Sequence, residues 1–150
     1  MSGPAGSNGP ASSTDGAFRA VVDALARRDL TADELESRLA RAGFEAEVSV
    51  DAIARARAAG YLDDQRVAVE RARVLAGRYA SDHAIRMELE RRGVSADAVD
   101  AALESVPPEV DRAVALSRRL GGGPRAARAL ARKGYPQDVV ERVLGLPVAE

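Results

Sequence analysis

Apolar residues along this chain recur at intervals of three and four, with no sustained alternation. Phe18, Val21, Val22 and Leu25 form a first stripe, entered through Thr14 or Asp15; that spacing puts side chains on one face of an α-helix. Leu35 and Leu39 form a second, opened by Thr31 with Glu34 in capping-box order and stopped by Gly43. A weaker pattern surrounds Ile53, with Ser49 placed to open the helix and Gly60 to end it. The plan then repeats. Asp63 or Asp64 caps a helix carrying Val67, Val74 and Leu75, and Ser81 caps one carrying Ile85 and Leu89 that stops at Gly93. Ser95 caps a helix with Val99, Leu103 and Val106, ended by Pro107-Pro108. The third round has a helix with Val114 and Leu116, a break at Gly121-Gly122-Gly123-Pro124, and a helix centred on Leu130 that stops at Gly134. A last helix has Pro136 in its first turn and carries Val139, Val140, Val143 and Leu144. The pattern predicts an all-α protein of about nine helices and no sheet.

One phrase marks the repeat. Leu39-Ala40-Arg41-Ala42-Gly43, Leu89-Glu90-Arg91-Arg92-Gly93 and Leu130-Ala131-Arg132-Lys133-Gly134 are each followed by an apolar residue, Phe44, Val94 and Tyr135. A unit copied at this interval cannot bury its apolar face alone and stacks on its neighbours. Three tandem three-helix repeats are therefore expected, over residues 16–60, 61–108 and 109–146, in an elongated, curved array. Residues 1–15 are rich in Gly, Ser, Pro and Ala, too little to offset ordering entropy by burial, and are expected to be a disordered tail. Gly43, Gly93 and Gly134 are expected as structural caps, because glycine takes the left-handed turn after a helix without a Cβ clash. Asp63 and Asp64 are expected to cap as well.

Composition narrows the function. Hydrophobic residues make up 46% of the chain but aromatics only 3%, so each core is expected to be thin. There is no cysteine, which removes thiol nucleophiles, disulfides and thiolate metal sites. No apolar run approaches the length of a membrane span and the N-terminus has no basic start or apolar core, so a cytoplasmic protein without membrane contact is expected. Asp63 and Asp64 have no second acidic or histidine cluster to converge with, and His83 is the single histidine. No catalytic residue, metal site or cofactor is predicted, and the protein is expected not to be an enzyme.

Charge then separates the repeats. The net charge is -1, yet residues 111–150 carry 8 basic and 4 acidic groups, a net +4, whereas residues 61–110 carry 7 and 10, a net -3. On a helical wheel Arg125, Arg128 and Arg132 share one face and Ala126, Ala127 and Leu130 the other. Lys133 flanks the stripe, and Arg112, Arg118 and Arg119 lie on the preceding helix. No carboxylate occurs between Arg112 and Gln137 to neutralise them. Such a stripe is either a solvated face or a surface for phosphate or an acidic protein. The segment Gly121-Gly122-Gly123-Pro124-Arg125 is either a connector or a set of amides for phosphate. In the first two repeats Glu34, Glu36, Glu88 and Glu90 intersperse with arginine and predict self-compensated surfaces.

The chain also resembles the RecX family of bacterial regulatory proteins. The resemblance lies in Leu25-Ala26-Arg27-Arg28-Asp29-Leu30-Thr31 with Glu34, Leu35 and Leu39, in Gly60-Tyr61-Leu62-Asp63-Asp64 with Arg66 and Ala68, and in Ile85-Arg86, Leu89 and Gly93-Val94. The closing Leu130-Ala131-Arg132-Lys133-Gly134-Tyr135 is similar to the family's C-terminal signature. The resemblance implies three three-helix repeats that bind the RecA recombinase filament on single-stranded DNA and modulate, chiefly inhibit, its extension, ATP hydrolysis and strand exchange. A monomer acting in recombination, DNA repair and the SOS response is what it implies. A direct DNA-binding module and a helical adaptor for another protein are the alternatives. Val67 stands where the family usually has phenylalanine, implying thinner packing in the second repeat. Tyr79-Ala80-Ser81-Asp82 stands where the family's loop is more basic and glycine-rich, which moves the expected filament or DNA contact to Arg125, Arg128, Arg132 and Lys133, with Arg112, Arg118 and Arg119 behind them.

Overall fold

A computed structural model describes residues 13–145. Among the described residues are nine helices and no strand: α1 (Thr14–Arg27), α2 (Ala32–Arg41), α3 (Ala46–Ala58), α4 (Asp64–Gly77), α5 (Asp82–Arg91), α6 (Ala96–Glu104), α7 (Glu109–Leu120), α8 (Gly123–Arg132) and α9 (Gln137–Val143). Most of the expected tail lies outside the described residues, but its last part does not. Ser13 caps α1 by accepting the Gly16 amide at 2.8 Å, so Thr14 and Asp15 are helical and not tail. No helix among the described residues is long and apolar enough to cross a membrane.

The helices gather into two compact units. One takes in the chain up to Val67 together with Arg92–Val94, and the other takes in Ala68–Arg91 and everything from Ser95 onward. In the first, α1, α2 and α3 pack around Val21, Leu30, Leu35, Leu39, Ile53 and Leu62. Ala17, Ala52 and Ala56 are fully buried, and their small side chains let α1 and α3 come close. The helix expected to open at Ser49 starts instead at Ala46, directly after the Phe44 amide has bonded back to the Leu39 carbonyl at 3.0 Å. Ser49 is therefore an interior helical residue, buried, with no hydrogen-bond partner for its hydroxyl.

In the second unit the buried face of α4 is Ala68, Ala72 and Ala76, whereas Val74, expected in the core, is 43% exposed. Ile85, Leu89, Val99 and Ala102 are buried on α5 and α6. Ala113 and Leu116 on α7 share a core with Leu130, Tyr135, Val139 and Val140. Pro136, expected in the first turn of α9, is its N-cap residue.

Each unit contains the same joint. Thr31, the N-cap of α2, is fully buried; its hydroxyl accepts the Glu34 amide at 3.2 Å and donates to the Arg92 carbonyl at 2.6 Å. The next amide, Ala32, donates to Asp64 Oδ1 at 2.9 Å. In the second unit Ser81 is likewise fully buried, accepting the Ala84 amide at 3.1 Å and donating to the Lys133 carbonyl at 2.8 Å. Its next amide, Asp82, donates to Glu109 Oε2 at 2.7 Å. The orphan amides of both helix starts are thus satisfied partly by residues far along the chain. Asp63 caps α4 itself, through the Arg66 amide at 3.1 Å. Asp64, expected to share that duty, serves α2 instead.

The receiving carbonyls of Arg92 and Lys133 immediately precede Gly93 and Gly134. Both glycines have positive φ, +85° and +90°. A Cβ on Gly134 would stand 3.0 Å from Ser81 Oγ, and one on Gly93 would stand 2.2 Å from Asp33 Oδ2. Gly43 has φ +93° and open space around it. Gly43→Ala is therefore expected to cost about 1 kcal/mol, the left-handed backbone alone. Gly93→Ala should cost about 2–3 kcal/mol, since Asp33 must also move. Urea denaturation of the pair checks this, and equal losses would mean that the close approach is absent.

The joints respond to acid in opposite senses. Burial pushes the Glu34 carboxyl up, but hydrogen bonds from Arg92 and from the Thr31 amide outweigh it and hold its pKa below the ordinary 4.5. Burial pushes the Glu109 carboxyl above its ordinary value, and the Asp82 amide does not overcome it. Glu34 is thus more acidic folded than unfolded, and its stabilisation is complete above pH 4.5 and is lost as pH falls through its lower folded value. The stability difference between the protein and its Glu34→Gln variant is expected to shrink steadily as acid is added below that point. A difference unchanged by acid would remove Glu34 from the joint.

Candidate functional site

Helix α8 presents the most strongly divided surface. Gly122 starts it without a side-chain cap, and Ala126 and Leu130 are fully buried. Arg125, Arg128 and Arg132 face outward, exposed. None of the three makes an ion pair among the described residues. Several arginines elsewhere in the chain do. In the first unit Arg55 meets Asp15 at 2.8 Å and Arg92 meets Glu34 at 2.9 Å. In the second, Arg71 forks onto Glu88, Arg73 meets Glu70 at 3.5 Å, and Arg86 meets Asp100 at 2.5 Å and Glu90 at 3.7 Å. Pairs as exposed as Arg55–Asp15 and Arg73–Glu70 contribute little stability, but every one of these pairs cancels charge. The outward face of α8 keeps its charge.

The other expected contacts fare differently. Lys133 is exposed, yet its Nζ donates to the Arg78 carbonyl at 3.1 Å. Arg118 and Arg119 are exposed in the last turn of α7, where the helix dipole also favours cations. The Arg119 guanidinium carbon lies 5.9 Å from the centre of the Tyr79 ring. Arg112 is a correction. It is only 4% exposed, with Nε donating to the Ala80 carbonyl at 3.1 Å, Nη1 to the Pro107 carbonyl at 2.5 Å and Nη2 to Asp82 at 2.5 Å. A guanidinium with three protein acceptors and no exposed face is a strut between segments and is not available to a partner.

Gly121 and Gly122 connect α7 to α8, which begins at Gly123, and all three glycines have positive φ. His83 is exposed on α5. Among the described residues no three His, Asp or Glu side chains gather where a metal ion could be held.

Two residues of this region have roles that no local sequence signal marks. Tyr79 takes φ +62°, the one non-glycine residue with positive φ among the described residues. It occupies the position after α4 that glycine fills after α2, since the Ala80 amide bonds back to the Leu75 carbonyl at 3.0 Å as Phe44 does to Leu39. Tyr135, expected only as the apolar residue after a glycine cap, reaches the same turn: its hydroxyl donates to the Tyr79 carbonyl at 2.7 Å. Burial pushes the Tyr135 phenol up to about 12 despite nearby Arg112, so it stays a donor throughout the physiological range. The apolar body of tyrosine suggested packing; nothing local in the sequence pointed to what its hydroxyl would meet.

Over 128 residues the chain is 33% identical to the regulatory protein RecX of Stenotrophomonas maltophilia, covering 79% of this chain and 78% of that protein. With the regulatory protein RecX of Trichlorobacter lovleyi it is 32% identical over 154 aligned positions, covering 92% and 97%. The chain belongs to the RecX family. No protein-family model matches it. The crystal structure of RecX from Lactobacillus salivarius shares the fold with a TM-score of 0.76 at 16% identity, over 88% of this chain and 94% of that one. A crystal structure of regulatory protein RecX gives 0.73 at 20% identity, over 87% and 72%.

The block that most suggested RecX, Gly60-Tyr61-Leu62-Asp63-Asp64, is occupied with architecture in this member of the family. Gly60 turns the chain at φ +82°, Tyr61 meets Phe18 edge-on at 6.1 Å, and Leu62 is 2% exposed. Asp63 caps α4 and Asp64 serves the first joint. Among the basic residues, Arg112→Leu is expected to lower stability by about 2–4 kcal/mol, because it leaves carbonyls and Asp82 without their donor. Arg128→Leu should change it by less than about 0.5 kcal/mol. Chemical denaturation checks the contrast; a stable Arg112→Leu protein would return that residue to the surface set.

Proposed function

We propose that this RecX-family protein is a non-enzymatic regulator of the RecA recombinase, binding its filament on single-stranded DNA and inhibiting extension, ATP hydrolysis and strand exchange. The observation that carries the reading is the uncompensated face of α8, with Arg125, Arg128 and Arg132 exposed and unpaired among the described residues. A nucleoprotein filament offers such a face phosphate, and counterion release on contact drives association. Membership of a family of regulatory proteins supports action on a partner. The three repeats, 16–60, 61–108 and 109–146, would each meet a neighbouring filament subunit, with the third nearest the DNA. A ligand laid along the filament changes its activity only by favouring one arrangement of subunits over another. Competition of that kind requires no chemistry from the regulator. The protein would act as a monomer in the cytoplasm, in recombination and DNA repair.

The test is RecA-dependent ATP hydrolysis on single-stranded DNA, expected to fall as the protein is added. Hydrolysis that stays normal at saturating protein would refute the proposal. The double charge reversal Arg128→Glu with Arg132→Glu is expected to raise the protein concentration needed for inhibition at least about tenfold, each lost phosphate contact weakening binding, with circular dichroism unchanged. Full inhibition by that variant would move the contact away from α8.

A further inference from the structure

The turn after α4 is held to an unusual degree. Its three consecutive carbonyls each accept a donor from beyond α6: Arg78 from Lys133 Nζ at 3.1 Å, Tyr79 from the Tyr135 hydroxyl at 2.7 Å, and Ala80 from Arg112 Nε at 3.1 Å. Between them Tyr79 has a left-handed backbone, φ +62°, which is strained for a residue with a Cβ. Glycine would occupy this turn without that strain, as it does after α2, α3 and α8. Strain of this sort persists where surrounding contacts over-determine it, and it gathers at functional positions. What the conformation gains is the placement of an aromatic ring. Tyr79 is half-buried, packed against the core shared by α7, α8 and α9, with Arg119 over its ring at 5.9 Å. Arg78 and Arg118 are exposed beside these two residues in sequence.

We propose that Arg78, Tyr79 and Arg119 form a binding site for a single strand of nucleic acid, in which Arg119 moves off the ring to meet phosphate with Arg78 and the ring face it leaves stacks with a base. An acidic protein surface would need the cations alone. A preorganised aromatic ring among cations suits a strand whose unpaired bases have free faces. The proposal rests on the reading that this protein meets filament DNA, and it adds a direct contact that does not need the recombinase to be present.

The test is binding of a short fluorescent oligothymidylate to the full chain, at low and moderate salt and without RecA, for the protein and its Tyr79→Gly variant. Glycine adopts positive φ without strain, which offsets part of the packing lost with the ring, so the variant should fold with an unchanged circular dichroism spectrum. It should nevertheless bind about tenfold more weakly, the effect expected for loss of one stacked base, and lose the quenching of tyrosine fluorescence on binding. Arg119→Glu, at an exposed position, should weaken binding at least as much and serves if Tyr79→Gly fails to fold. Unchanged affinity in either folded variant overturns the site. So does an absence of oligothymidylate binding by a protein that still suppresses RecA hydrolysis, an outcome that leaves the filament reading standing. Tyr79-dependent binding with no effect on RecA would support the site and overturn the filament reading.

Discussion

A buried hydroxyl at the start of a helix is the constraint on which this fold turns. A helix that begins inside a protein leaves amides that water cannot reach, and each must find an acceptor. Thr31 and Ser81 supply one acceptor within their own helices, but a hydroxyl also has a proton to place. They place it on the carbonyls of Arg92 and Lys133, each just ahead of a glycine whose missing Cβ leaves room for the approach. Cap, turn and repeat-to-repeat packing are thus one interaction. It explains why threonine or serine ahead of a middle helix and glycine after the next one recur together. It also explains why Arg92–Val94 belong to the same compact unit as α1, α2 and α3.

The same geometry divides the arginines into two populations. Arg92 braces the first joint, forking onto Glu34 and reaching the Asp29 carbonyl at 3.2 Å. Arg112 braces the second from a buried position. Both guanidinium groups are held by the protein itself, Arg112 buried and Arg92 partly buried, with several acceptors converging on each. Helix α8 has Gly122 as its N-cap, where α2 and α5 have the hydroxyls of Thr31 and Ser81, and no side chain caps its start. Its arginines are left to the solvent. Helices with the same place in the repeat pattern are in this way unequal in exposed charge.

Much of the fold was legible because its signals are local. Capping at Thr31, Ser81 and Ser95 acts over three residues, and the glycine turns close over five, as between Phe44 and Leu39. Those distances lie within the reach of a reading along the chain. The errors share the opposite cause. Asp64 was expected to cap its own helix, and its partner Ala32 lies 32 residues away. Arg112 was placed with the surface cations, yet one acceptor, Asp82, lies 30 residues off. Ser49 and Val74 are expected from residue type alone, yet Ser49 lies inside a helix that starts at Ala46 and Val74 lies off the buried face of α4.

The sequence by itself determined the all-α class, the periods at which helices begin and end, the absence of thiol chemistry and the amphipathic division of α8, since each follows from composition or from neighbours within a turn or two. It also carried the family, through short motifs whose side chains turn out to cap and pack. Only the tertiary structure decided which arginines are spent inside the protein and which remain outside. It alone brought Lys133, Tyr135 and Arg112 onto three adjacent carbonyls around Tyr79. The physical reason is that a guanidinium or phenol reaches acceptors in every direction, so its partner depends on which segments the packed helices bring within about 3 Å, and periodicity along the chain does not encode that.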